Sequence, residues 1–209
     1  VYTFMDNLFK EYLSGKDPVF AGKYVHIGTD EYSNATQELK EKFRAYTDRY
    51  LALIESYGKS PMVWGALSHA DGTTPVRQKG VTMGLWSNDM ADPVEMKRQG
   101  WKMISMTDWQ TYIVPIADYY HDYLPLDNLY NTWTPRVFRN VTLEENDPCI
   151  VGGMFALWND IYGNGITVAD MHDRIFPVLQ VIADKTWTAA LTTLPFDLFE
   201  QKKGLLSEA

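Results

Sequence analysis

Seven consecutive residues, His26-Ile27-Gly28-Thr29-Asp30-Glu31-Tyr32, hold the densest set of side chains able to do chemistry. Two carboxylic acids stand side by side directly after Lys23 to Gly28, a short apolar run that reads as a buried strand. An isolated Asp-Glu pair usually caps a following helix and faces water. At the carboxyl end of a barrel strand, the same pair stands where such folds carry their catalysts. There paired acids can transfer a proton and stabilise developing charge. A charged Asp30 also disfavours a second negative charge beside it, so Glu31 is expected to keep its proton and Asp30 to stay ionised.

The elements that must position this pair are legible as periodicities. Tyr2, Met5, Leu8, Phe9 and Tyr12 recur at helical spacing, and Ser14-Gly15 with Pro18 beyond closes a helix over Tyr2 to Leu13. A polar loop, Thr29 to Ser33, leads into a long helix from about Ala35 to Tyr57, with Leu39, Phe43, Tyr46, Tyr50, Leu53 and Ile54 on one face and Gly58 as its cap. Pro61 to Leu67 and Val81 to Trp86 read as strands, separated by a loop from Ser68 to Gly80. Asp92-Pro93 opens a short helix that runs to Gln99 and stops at Gly100, and Lys102 to Ser105 is a further strand. The aromatic stretch from Met106 to Pro135 is expected to be a long loop with only brief helical turns, a length of connection that is usually functional. Ile150 to Leu157 reads as a strand and Val168 to Trp187 as an amphipathic helix. Five strands, near residues 24, 62, 82, 102 and 152, therefore alternate with helices or long loops, which implies a parallel sheet flanked by helices. Neither GxGxxG nor GxxxxGK[ST] occurs, so a barrel, or part of one, is the better α/β architecture.

Composition narrows the partners. The 209 residues, 45% of them hydrophobic, suit one domain or a large piece of one. A net charge of -8 without any basic run argues against nucleic acid. No apolar stretch approaches the roughly 18 residues that span a bilayer, so no membrane anchor is expected. The lone Cys149 excludes an internal disulfide and a multi-cysteine metal site and reads as a buried thiol. His26, His69, His121 and His172 lack ligand spacing, so no metal is expected; no other cofactor is expected. Seven Trp and thirteen Tyr are plentiful for stacking on the apolar faces of sugars. The chain opens on Val1 at an amphipathic segment, so it is expected to be part of a longer polypeptide.

The heptapeptide resembles the His-x-Gly-x-Asp-Glu signature of the family 20 glycoside hydrolases, the β-N-acetylhexosaminidases. Downstream, Val63-Trp64-Gly65 resembles that family's fifth-strand tryptophan, Leu85-Trp86 its sixth-strand one, and Tyr112 the tyrosine after the seventh strand. Gly152-Gly153 through Trp158-Asn159-Asp160 is similar to the eighth-strand signature, and Arg174, Pro177 and Lys185-Thr186-Trp187 to the last barrel helix. The resemblance implies a partial (β/α)8 TIM barrel: residues 1–209 supply strands four to eight with their helices, as the C-terminal portion of one catalytic domain. It implies retaining, substrate-assisted hydrolysis of a terminal β-linked N-acetylhexosamine, in which the 2-acetamido oxygen attacks the anomeric carbon to give an oxazolinium intermediate. Glu31 would be the acid and Asp30 the carboxylate that orients the acetamido N–H. Trp64, Trp86 and Trp158 would enclose the acetamido methyl group, Tyr112 would donate to its oxygen, Asp160 would bind sugar hydroxyls, and His26 would orient Asp30 or a neighbour. Such glycans place the work outside the cell or at its surface, or in a lysosome-like compartment if the protein is eukaryotic. The sequons Asn34-Ala35-Thr36 and Asn140-Val141-Thr142 are compatible with that.

Two departures qualify the resemblance. Strands one to three of a barrel of about 250 residues are missing, and with them the arginine that grips the 3- and 4-hydroxyls, so the chain is expected to need that half, or self-association, to work. Val114 stands where many members place an acid, and Asp160 replaces the commoner glutamate, which points toward the lacto-N-biosidase-like branch and release of a disaccharide. Two rivals stay open: a glycosidase that uses a second, separated acid such as Asp89, Asp92 or Asp108, and an inactive carbohydrate-binding fragment.

Overall fold

The computed structural model describes residues 1–161, 163, 165–188 and 194–206. They fall into two compact units, Val1–Gly84 with Asp89–Lys102, and Leu85–Asn88 with the described residues from Met103 onward.

In the first unit, α1 (Tyr2–Leu13) precedes β1 (Tyr24–His26), α2 (Gln37–Ser56), β2 (Ser60–Trp64), β3 (Thr82–Leu85) and α3 (Pro93–Gln99). The strands pair in parallel, with His26 opposite Met62 and Trp64 opposite Gly84. Parallel register carries the carboxyl end of β1 alongside that of β2, where the Trp64 N–H donates to the Gly28 carbonyl at 2.9 Å. The helix α2 starts where Thr36 accepts from the Leu39 N–H, two residues later than expected, because the capping hydroxyl decides the first turn. Its inner face buries Phe43, Thr47, Tyr50, Leu51 and Ile54. Asp92 caps α3 through the Glu95 N–H, Pro93 occupies the first turn, and Gly100 ends it at φ 90°, as the sequence dictated.

No helix links β2 to β3; the connection is an extended loop fastened to α2. Glu41 accepts from the Thr73 and Thr74 N–H groups at 2.8 and 2.7 Å, Arg44 donates to the Thr74 carbonyl, and Arg77 bridges Asp48 and Glu55. Four polar side chains on α2 thus fasten the loop that stands in place of a crossover helix.

In the second unit, β4 (Lys102–Ser105) pairs in parallel with β8 (Ile150–Gly153). Between them lie α4 (Asp108–Thr111), β5 (Tyr112–Ile113), α5 (Leu126–Thr132) and the hairpin β6 (Val137–Phe138) and β7 (Val141–Thr142); β9 (Ala156–Leu157), α6 (Val168–Thr188) and α7 (Phe196–Lys203) follow. The segment read as one strand, Ile150 to Leu157, is two: Met154 still donates to the Ser105 carbonyl, but β9 turns to pair with β5. Ile113, Tyr130, Trp133, Val178 and Val181 form the core of this unit.

Two features of this core are open to test. A Cβ on Gly153 would clash with the Trp133 ring, whereas one on Gly152 would meet nothing within 4 Å. Gly153→Ala is expected to lower unfolding free energy by about 1–3 kcal/mol in denaturant melts, and Gly152→Ala to cost far less; equal losses would mean that the ring does not set the limit. Lys185 is 0% exposed, its Nζ 3.7 Å from Asp184 Oδ2 and over the Tyr130 ring, without a hydrogen-bond partner among the described residues. Burial lowers its pKa, partly offset by Asp184. The folded state therefore disfavours the ammonium, and stability should rise with pH as the penalty is relieved between the folded pKa and the ordinary value of about 10.4. Urea melts should show that slope in the parent and its loss in Lys185→Met.

Candidate active site

The acid pair is set by a backbone turn. Gly28 and Thr29 both take left-handed conformations, φ 78° and 65°, which turn the chain sharply off β1. Glycine adopts this freely, but threonine pays about 1 kcal/mol or more for it, so surrounding contacts must hold Thr29 there. One is the His26 ring, whose Nδ1 accepts the Gly28 N–H at 3.0 Å while its face packs on Trp64, ring centroids 4.3 Å apart. Asp30, Glu31 and Tyr32 follow, all exposed. Both acids line an open cavity of about 590 Å³ whose other walls include Tyr2, Tyr32, Phe43 and Tyr46.

The remaining candidates belong to the second unit. Asp108 N–H donates to the Trp86 carbonyl, and the Trp86 indole N–H is buried without a hydrogen-bond partner among the described residues. Tyr112 and Trp158 are brought together by the β5–β9 pairing, with the Trp158 N–H on the Ile113 carbonyl. Their rings meet edge to face at 5.6 Å, Tyr112 buried and Trp158 38% exposed. Asp160 is exposed and accepts the Tyr119 hydroxyl at 2.9 Å.

The rival second acids are otherwise engaged in part. Asp108 is buried and holds the Trp109 N–H and the Tyr120 hydroxyl, and Asp92 is the cap of α3. Asp89 is exposed. Among the described residues no group of His, Cys, Asp and Glu is arranged to hold a metal ion. Sequence reasoning assigns no role to Tyr119, Tyr120 or His69. Tyr120 packs edge-on against both Trp109 and Tyr112, and His69 binds Tyr32 and Asn34. A pair of adjacent tyrosines inside an aromatic loop was the available signal for the first two; His69 carried none.

His26 keeps an open side, yet the atoms packed round its ring push its pKa down from 6.5 to about 4 by desolvation. The hydrogen bond argues in the same direction, because Nδ1 can accept only when unprotonated. The folded state therefore disfavours the cation, and stability should be lost as pH falls from about 6.5 through 4. An NMR titration of the ring should find its midpoint near 4; one at the ordinary histidine value would remove the argument.

Residues 1–190 match the model of the glycosyl hydrolase family 20 catalytic domain. The mouse β-hexosaminidase subunit alpha is 24% identical over 215 residues, 92% of this chain and 37% of the mouse one. A β-N-acetylhexosaminidase from Bacteroides fragilis NCTC 9343 superposes with TM-score 0.71 at 20% identity, over 96% of this chain and 42% of that one. Dispersin B gives TM-score 0.70 at 19% identity, over 88% of this chain and 58% of that one. The chain thus spans between 37% and 58% of the length of these relatives. The structural likenesses fix the fold as α/β, part of a (β/α)8 barrel. With the signature residues at strand ends and the family model matched from residue 1 to residue 190, the chain belongs to glycosyl hydrolase family 20.

Proposed function

We propose that this chain supplies strands four to eight of the barrel of a retaining glycosidase that removes terminal β-linked N-acetylhexosamine, GlcNAc or GalNAc, or a disaccharide such as lacto-N-biose. The observation that carries the reading is the acid pair on its left-handed turn at the end of β1, within the span matched by the family model. Glu31 gives its proton to the glycosidic oxygen as the substrate's acetamido oxygen closes on the anomeric carbon. Asp30 accepts the acetamido N–H and stabilises the oxazolinium charge. Water then opens the ring with Glu31 taking the proton back, so the anomeric configuration is retained. Trp64, Trp86 and Trp158 exclude water around the acetamido methyl group, Tyr112 donates to its oxygen, and Asp160, oriented by Tyr119, takes a sugar hydroxyl. The remaining barrel strands come from the rest of the polypeptide or a partner chain, and such glycans place the protein outside the cell or at its surface.

The test is hydrolysis of an aryl β-N-acetylglucosaminide, an aryl β-lacto-N-bioside and an aryl β-glucoside, by the chain alone and with a fragment supplying strands one to three. Turnover of the acetamido substrates only, with kcat reduced about 100-fold or more in Glu31→Gln, is the expected result. Turnover of the plain glucoside would replace the substrate-assisted route with two-carboxylate chemistry. Sugar binding without turnover in a closed barrel would leave a carbohydrate-binding protein.

A further inference from the structure

Outside the family signature, one side chain has the geometry to govern the acid pair. His69 lies on the turn after β2. That turn is rigid: the Ser68 and His69 N–H groups both donate to the Met90 carbonyl at 3.0 Å, and Ser68 Oγ accepts the Asp92 N–H at 2.9 Å. From this base the imidazole reaches back to the loop that carries the acids. Its Nε2 lies 3.1 Å from the Tyr32 carbonyl, and its Nδ1 lies 3.2 Å from Asn34 Nδ2, which also donates to the His69 carbonyl. The tautomer that satisfies both ring contacts carries its proton on Nε2, donating to Tyr32 and accepting from Asn34.

Asp30 and Glu31 therefore sit between two histidines. His26 holds the Gly28 N–H on the near side, and His69 holds Tyr32 and Asn34 on the far side. The stretch between them begins with Thr29 in the left-handed region, a conformation that persists only when its surroundings impose it. The exposed loop lacks regular structure from Gly28 through Asn34, and the fastening at its far end holds the backbone of the residue next to Glu31.

We infer that His69 is a positioning residue for the general acid: it touches neither substrate nor reacting atoms, and its hold on the Tyr32 carbonyl sets the direction of Glu31. The inference rests on the proposed role of Glu31. A misplaced acid harms the first step, departure of the aglycone, only where the leaving group needs a proton; the second step, in which Glu31 is the base, is common to all substrates. A dinitrophenolate departs unprotonated, whereas a sugar alkoxide cannot.

The experiment compares a dinitrophenyl and a sugar-linked β-N-acetylglucosaminide in the parent, His69→Ala and His69→Gln, using whichever form turns over in the assay above. His69→Ala should lose about tenfold or more in kcat/KM, which reports the first step alone, on the sugar-linked substrate, with kcat/KM for the dinitrophenyl substrate spared. His69→Gln, whose amide can donate to the same carbonyl, should recover part of the loss. Equal losses on both substrates, or none, would overturn the inference. Amide exchange measured in parallel should show faster exchange across residues 30–34 in His69→Ala; unchanged exchange there would overturn it even if the parent proved inactive. An inactive parent with accelerated exchange would instead count against the proposed chemistry while supporting the hold of His69 on the loop.

Discussion

Everything at the acid pair depends on the turn that takes the chain off β1. A strand alternates its side chains, so two adjacent acids on a continuing strand would point to opposite faces. Two left-handed residues at Gly28 and Thr29 end the alternation before it reaches Asp30, and both acids then face one cavity. That turn is feasible only because the parallel register has already placed Trp64 beside it: the Trp64 N–H closes on the Gly28 carbonyl and the Trp64 ring packs on His26. Strand pairing, ring packing and the unusual backbone are thus one arrangement, and a shift of register would remove all three.

The second set of candidate residues is held by a different device. Tyr112, Tyr120, Trp109 and Trp158 form a chain of edge-to-face contacts at 5.6 to 5.9 Å, each of the kind worth about 0.5–1.5 kcal/mol beyond buried area. Hydroxyl bonds fasten it at Tyr120, to Asp108, and through the neighbouring Tyr119, to Asp160. Farther along the same loop, the buried Arg174 grips Asp122 at 2.9 Å and covers Tyr123. The stretch that sequence reasoning treated as a long loop is therefore tied down by aromatic edges and charge-assisted bonds, with short elements α4, β5 and α5 as its only regular structure.

This division explains what was legible in the sequence. Apolar runs and helix punctuation gave β1 to β4 and α1 to α3 within a residue or three, because Asp92-Pro93 and Gly100, or the Tyr2–Leu13 spacing, are local causes with local effects. The break between β8 and β9 was not legible, since Val151 through Leu157 is uniformly apolar and only the competing partners β4 and β5 divide it. Two-residue strands such as β5, β6 and β7 are too short to show a period. At the acid pair the motif was visible, but its far fastening was not: His69 meets a backbone carbonyl 37 positions away, and nothing about a carbonyl is written in the sequence.

The same contrast bears on how the acids can be both exposed and directed. A long carboxylate on an open loop has many rotamers, and ordering it at the moment of reaction costs free energy that lowers its effectiveness. Fixing the backbone on both sides removes part of that cost in advance without burying the carboxylates. The rigidity is borrowed from elements that need it anyway: the Met90 carbonyl and Asp92 N–H that hold the turn of His69 lead into the cap of α3, and the Trp64 that backs His26 closes β2. A loop of seven residues can therefore carry the reacting groups while the precision comes from β2 and α3.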